Sequence, residues 1–457
     1  MSDPQDTTER HREPTTERRL APPGTPVPDP EPGRTAGPPQ PAPPRSGWKL
    51  LADPVFGPFF AGKAISTAGI WVHNIVAAIL AWELSRSALV VGLVSVAQFG
   101  PQLLFAPLSG AHADRGDRRH QLVLGRLIAA GGSLGLATWV AIVGVDGLPG
   151  AWPVVAAALV VGIGFVIGGP AMNALVPSLV RPEELATAIA VNSVPFTVAR
   201  AAGPALGALL ATSLGPAAAF ALAGASNLLF ALLLVRLPIQ GRPSTAGQGD
   251  RRVRAGLAYL REDRAIVLLL VGVASIGLGV DPVITLTPSL AASLGGEARL
   301  VGVFASTFGI GAGLAFVVLT RLRVRFGLER LAVAGLLLLA SGMVLAGLVP
   351  VLAGAVVGFL VAGSGMTLAL TSLSTQLQAR LPDELRGRVM ALWSVAFLGS
   401  RPLAAAANGA LADLTSPAVA MLGVGVLVAL TATVIRPARL AARPVPAPTV
   451  LSPASRS

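Results

Sequence analysis

Gly110-Ala-His-Ala-Asp114-Arg115-Gly116-Asp117-Arg118-Arg119 joins two long apolar runs, residues 89–111 and 121–144. Each run reaches the roughly 20 residues that a helix needs to cross a bilayer. The stretch between them packs three arginines and two aspartates into a few positions. Such a segment cannot lie in hydrocarbon, so it reads as a turn at a membrane face. Arginine is retained on the cytoplasmic side of a membrane, which places this turn inside the cell.

The same alternation extends in both directions. Apolar stretches fall at about 58–82, 89–111, 121–144, 152–176, 185–212, 216–238, 264–290, 299–320, 328–349, 351–378, 386–412 and 417–437. Of the 457 residues, 53% are hydrophobic and only 13% are charged. A soluble domain carries about 25% charged residues, so this chain has too few to cover a water-facing surface. The net charge of +12 comes almost wholly from arginine, with Lys49 and Lys63 the only lysines. Its clustering between apolar runs points to anionic lipid rather than to nucleic acid. Cysteine is absent, which excludes disulfides, thiolate metal sites and cysteine nucleophiles.

Arginine placement also orients the chain. The loops after spans 2, 4, 6, 8 and 10 hold Arg115, Arg118, Arg119, Arg181, Arg251, Arg252, Arg254, Arg321, Arg323, Arg325, Arg380, Arg386 and Arg388, whereas the opposite loops hold Arg86 and Arg299. Both termini are therefore expected in the cytoplasm of a multi-pass protein of the cell (inner or plasma) membrane. Residues 1–50, with thirteen prolines in the first 48, read as a disordered tail, and residues 438–457 as a second. Residues 51–238 and 264–437 read as two six-helix halves, joined by a cytoplasmic linker at 239–263. Within the linker, residues 250–261 alternate arginine with apolar side chains, as a helix lying on the inner membrane surface does. Pro182-Glu183-Glu184-Leu185 recurs as Pro382-Asp383-Glu384-Leu385, and Gly215-Pro216-Ala217 recurs as Ser416-Pro417-Ala418, at nearly one offset. That supports duplication into parallel halves. The expected fold is thus an all-α membrane protein of twelve transmembrane helices.

Gly110, Asp114, Arg115, Arg118 and Arg119 sit where the major facilitator superfamily has its signature loop, G-x-x-x-D-R-x-G-R-R, which the stretch resembles; Asp117 replaces the second glycine. The resemblance implies that Asp114 meets a helix N-terminus or an arginine across the gap between halves. Arg321 to Arg330 resembles a degenerate second copy without the aspartate. Ala199-Arg200-Ala-Ala-Gly203-Pro204-Ala-Leu-Gly207-Ala208 resembles the antiporter motif G-x-x-x-G-P-x-x-G-G, with two glycines replaced by alanine. Gly203 and Gly207 allow close helix approach, and Pro204 interrupts the helical ladder. This motif implies export. Ser66 to Trp71, Trp82 to Ser87 and Gly256 to Arg261 resemble the branch containing the enterobactin exporter and macrolide-efflux-like proteins, a likeness covering residues 50–435.

Ionisable side chains within the apolar spans are Lys63, His73, Asp281, Arg200 and Arg401, with Arg126 near an inner end. Each is costly at membrane depth and so suggests function. Asp281 is the only carboxylate well inside a span, either a proton carrier or a cap beside Pro282. His73 is either titratable or a buried, hydrogen-bonded histidine. Arg200 and Arg401 are candidates to meet Asp281 or an anionic substrate. Gly57 to Lys63 nearly matches a phosphate-binding loop, but Ala64 lacks the metal-binding hydroxyl and no strand precedes it. No catalytic pair, metal cluster or cofactor motif stands out. The reading is a monomeric transporter, not an enzyme: a proton-coupled exporter of a small amphiphilic molecule (drug, siderophore or secondary metabolite). The alternative is a translocator of lysophospholipid or another lipid.

Overall fold

The computed structural model describes residues 45–115, 117–238, 263–296, 298–349, 351–381 and 383–440; within these, residues 106–115, 197, 200, 201, 383–388, 391 and 439 are described for the backbone only. The two tails, the connection at 239–262 with its expected surface helix, and the side chains of Gly110, Asp114, Arg115 and Arg200 therefore lie outside the description. Among the described residues the chain is all-helical, with no strand.

A short helix α1 (Gly47–Leu51) leads into α2 (Phe56–Ser85). Arg86 ends α2 in the left-handed conformation, φ 54°, its N–H returning to the Trp82 carbonyl. Helix α3 (Ala88–Arg115) follows at once, and α4 (Arg118–Val143) begins at the turn quoted above. Asp117, where the resembled signature has glycine, is the N-cap of α4: its carboxylate accepts from the Arg119 and His120 N–H groups. The departure thus has a local reason, since a capping carboxylate satisfies otherwise orphaned donors. Helix α5 (Trp152–Leu175) carries Pro153 in its first turn. Single 3-10 turns at Val176–Ser178 and Pro182–Glu184 precede α6 (Leu185–Arg236). Helix α6 is broken at Gly215, φ 85° and ψ 163°, immediately before Pro216. A left-handed glycine followed by proline stops one helix and starts another.

Helix α7 (Arg264–Val280) gives way at Asp281 to the short α8 (Pro282–Thr285) and α9 (Thr287–Ser293). The rest comprises α10 (Ala298–Phe326), α11 (Leu328–Leu348), α12 (Leu352–Arg380), α13 (Asp383–Leu414), α14 (Pro417–Val434) and α15 (Pro437–Leu440). Ten helical stretches among the described residues are long and apolar enough to cross a membrane; one of them, Ala202–Arg236, runs through the break at Gly215, and α13 is not among the ten.

Helix α2 packs on α6, α4 on α5 and α6, and α3 on α5. Helix α11 packs on α12 and α14, α10 on α12, and α7 on α13. Two seams connect these groups, α3 with α13 and the first part of α6 with α10. Large apolar side chains point outward around the bundle, among them Ile142, Val317 and Leu403, each at least 70% exposed. A surface of this kind is stable against lipid and not against water.

Candidate functional site between the helix groups

A small cavity of about 20 Å³, room for roughly one water, lies where the two groups meet. Trp71, Asn74 and Ile75 of α2 and Pro204 of α6 form one wall; Val280, Val283, Ile284, Ala305, Phe308 and Arg401 form the other. Most of this lining is apolar, with an amide and a guanidinium as polar anchors. Gln98 of α3 donates to Asn74 Oδ1 at 2.6 Å and fixes that amide.

Asp281 sits beside this wall and is fully buried. Its position follows from Pro282, which cannot continue the α7 ladder and turns the chain at that point. The carboxylate accepts from Asn408 Nδ2 of α13 at 3.1 Å and from Thr285 Oγ1 at 3.1 Å. Arg401 of α13 lines the same cavity as Val280, the residue before Asp281. No ion pair joins Arg401 and Asp281. The Arg401 guanidinium instead stands over the Phe99 ring, 4.2 Å from its centroid, a cation–π contact. Arg401 Nε and Nη2 have no hydrogen-bond partner although buried.

Of the other sequence candidates, His73 points away from the cavity. Its Nδ1 is 3.1 Å from Ser133 Oγ of α4, and its ring packs edge-on against Phe220. Gly203 and Gly207 lie at the contact of α6 with α2: a Cβ at Gly203 would stand 2.4 Å from Trp71 Cβ, and one at Gly207 would stand 2.2 Å from Ile75 Cγ2. Both glycines, and Pro204 between them, therefore set how closely α6 approaches the cavity wall. Arg118 donates to the Ala174 carbonyl at the end of α5. Arg119 Nε donates to the Leu234 carbonyl at 2.8 Å, and Arg119 Nη2 to that of Val235, at the end of α6. These are carbonyls a helix C-terminus leaves unpaired. The arginines of the turn thus tie two helix ends together.

Two contacts were not anticipated from sequence. Asp413, at the end of α13, caps the start of α3: its carboxylate accepts from Ser87 Oγ at 2.5 Å, from the Ala88 N–H at 2.7 Å and from the Leu89 N–H at 3.0 Å. This is a contact between the two helix groups at one end of the α3–α13 seam. Separately, Arg45 grips buried Glu184 with Nε at 2.6 Å and Nη2 at 2.9 Å, and Asp53 with Nη1 at 2.7 Å. The Arg45 hydrogen bonds hold the Glu184 carboxyl well below the usual carboxylate range, at about 2. Among the described residues, no three His, Asp or Glu side chains gather as a metal site would require.

The family described as transmembrane secretion effector matches residues 45–447. Macrolide efflux protein A of Streptococcus pyogenes is 30% identical over 234 residues, 50% of this chain and 55% of that protein. The match thus spans about half the length of that relative. The enterobactin exporter EntS of Salmonella paratyphi A is 27% identical over 383 residues, 80% of this chain and 88% of the relative. A D-xylose–proton symporter superposes with a TM-score of 0.68 at 17% identity, covering 83% of this chain and 97% of its own. A bacterial homologue of the iron transporter ferroportin, in an inward-facing state, superposes with a TM-score of 0.67 at 16% identity, covering 86% and 99%. At these identities the two structures speak for the fold alone.

Proposed function

The chain belongs to the transmembrane secretion effector family of major facilitator transporters, and on that premise we propose that it is a proton-coupled exporter of a small amphiphilic molecule. It is a multi-pass transmembrane secondary transporter and not an enzyme. The finer reading has twelve spans, counting α6 as two helices across Gly215 and adding α13, in two six-helix halves with cytoplasmic termini. Its inner-membrane setting and monomeric state belong to the same reading. Alternating access then opens and closes the α3–α13 and α6–α10 seams around the cavity.

The observation that carries coupling is Asp281, fully buried at the cavity wall and held by two neutral donors rather than by a salt bridge. Protonated from the outer side and deprotonated inside, it would drive cargo outward. Arg401 balances the charge in one state and is free for an anionic group of the cargo in the other. Arg200 and His73 are the secondary candidates for these roles, and Asp114 for gating on the inner side. A membrane potential adds roughly 2.3 kcal/mol per charge per 100 mV, enough for one proton to support an uphill step. The relatives' names, macrolide efflux protein and enterobactin exporter, favour a drug, siderophore or secondary metabolite as cargo. The apolar lining leaves lysophospholipid as the second reading.

The test is transport in proteoliposomes under an imposed pH gradient, with a macrolide, a catecholate siderophore and a lysophospholipid offered in turn. Asp281→Asn should abolish uphill movement and keep downhill exchange. An unchanged pH-gradient dependence in that variant would remove Asp281 from the mechanism.

A further inference from the structure

A second set of charges lies deeper in the first helix group. Lys63 of α2 and Arg126 of α4 are 6% and 1% exposed. Lys63 Nζ donates to the backbone carbonyl and to Oδ1 of Asn192, both at 2.8 Å. Arg126 Nη1 donates to Ser66 Oγ at 3.2 Å and to Asn227 Oδ1 at 3.3 Å. Every one of these partners is neutral. Ser66, which accepts from Arg126, is three residues from Lys63 on α2, and among the described residues no carboxylate pairs with either cation. Arg126 Nε and Nη2 are buried and have no hydrogen-bond partner at all.

A buried cation costs several kcal/mol unless it is paired, and two adjacent ones cost more. Neutral carbonyl and amide oxygens orient these side chains but do not cancel their charge. There is also a little room: a Cβ built on Gly168 would stand at ordinary contact, 3.5 Å, from Arg126 Nη2. That Cβ would also stand 3.4 Å from Leu122 Cδ1 and 3.6 Å from Gly125 Cα, so one methyl group would fit beside the guanidinium.

Placement relates Lys63 to the pathway. Lys63 and Asn74 are eleven positions apart, close to three whole turns, so the two lie on one stripe of α2 about 16 Å apart. Asn74 lines the cavity between the helix groups. Lys63 thus continues the cavity-facing stripe toward the start of α2, whereas Ser66, seven residues before His73, meets Arg126 on the face that α2 turns toward α4.

We propose that Lys63 and Arg126, oriented by Asn192, Ser66 and Asn227, form a binding site for an oxyanion, a carboxylate or phosphate group. The bound group supplies the counter-charge that the described residues lack and accepts from the unpartnered Nε and Nη2 of Arg126, a fork that suits planar or tetrahedral oxyanions. Binding there is independent of the direction of transport and of Asp281. The same chemistry is presented by a free anion and by an anionic lipid headgroup.

The experiment is thermal unfolding of the purified full-length protein in neutral detergent. One arm titrates sodium phosphate and sodium acetate; another adds micelles of phosphatidylglycerol against phosphatidylcholine. Wild type, Lys63→Gln, Arg126→Gln and Arg126→Lys are compared, with exposed Arg236→Gln as the control. The wild type and the control should gain on the order of 3 °C near saturation. Lys63→Gln and Arg126→Gln should lose that gain, and Arg126→Lys should keep part of it. A response to phosphate or acetate assigns a free anion, and a response confined to phosphatidylglycerol assigns a lipid headgroup; either supports the site. No gain with any probe, or an equal gain in both glutamine variants, overturns it. If Arg126→Gln does not fold, Lys63→Gln decides alone.

Discussion

Removing the Asp413 carboxylate should unlatch one end of the α3–α13 seam. Three donors converge on it: Ser87 Oγ at 2.5 Å and the Ala88 and Leu89 N–H groups at 2.7 and 3.0 Å. The two N–H groups belong to the first turn of α3 and have no partner within that helix. Loss of a side-chain cap costs about 0.5–2 kcal/mol, and a carboxylate at a helix N-terminus adds about 0.3–1 kcal/mol at exposed sites. Asp413 is exposed, so the low middle of that range, about 1–2 kcal/mol, is appropriate. The contact joins residues on different helix groups and exists only while this end of the seam is shut. Asp413→Ala should therefore move the balance toward the state open at this end by about 5–30-fold. The chain contains no cysteine, so spin labels can be placed at Arg86→Cys and Thr415→Cys without background. Pulsed electron–electron resonance in nanodiscs would read the distance distribution. The long-distance population should rise in Asp413→Ala, and less in Ser87→Ala, which keeps both N–H bonds. Identical distributions in wild type and Asp413→Ala would refute the latch.

Three further outcomes are expected. Glu184 has a folded-state value near 2 against an ordinary 4.5, with Arg45 hydrogen bonding as the main cause; its stabilisation is present above pH 4.5 and lost as pH falls toward 2. The thermal midpoint should drop between pH 4.5 and 2.5 more steeply in wild type than in Glu184→Gln, and equal slopes would remove this ion pair from acid stability. Gly207→Ala places a Cβ 3.1 Å from the Val72 Cα and 2.2 Å from Ile75 Cγ2; it should destabilise by about 1–3 kcal/mol through overpacking and slow transport, read as a lower thermal midpoint and initial rate. Reporter fusions after Asp250 and after Arg436 should both show cytoplasmic activity, and an external signal from either would invert the topology argued from arginine placement.

What sequence determined here is what the bilayer judges locally. A stretch of apolar residues is read as a span, and an arginine cluster as an inner turn, from neighbours alone, because the hydrocarbon penalty acts residue by residue. So the ten described stretches long and apolar enough to cross a membrane, and the break at Gly215-Pro216, were visible before any coordinates. Asp281 and Arg401 were visible as candidates for the same reason: a charge in an apolar run stands out wherever it points.

Tertiary structure decided which charges meet. Asp281 finds Asn408 127 positions away, Asp413 finds Ala88 325 positions away, and Arg119 finds Leu234 115 positions away. Nothing in local pattern encodes such pairs, since helices of one hydrophobicity can pack in many orders and rotations. The same holds for His73, which sits two residues from cavity-lining Trp71 yet turns toward Ser133. On a helix two residues span about 200°, so chain neighbours face opposite sides, and only packing against α4 and α6 decides which side is the pathway.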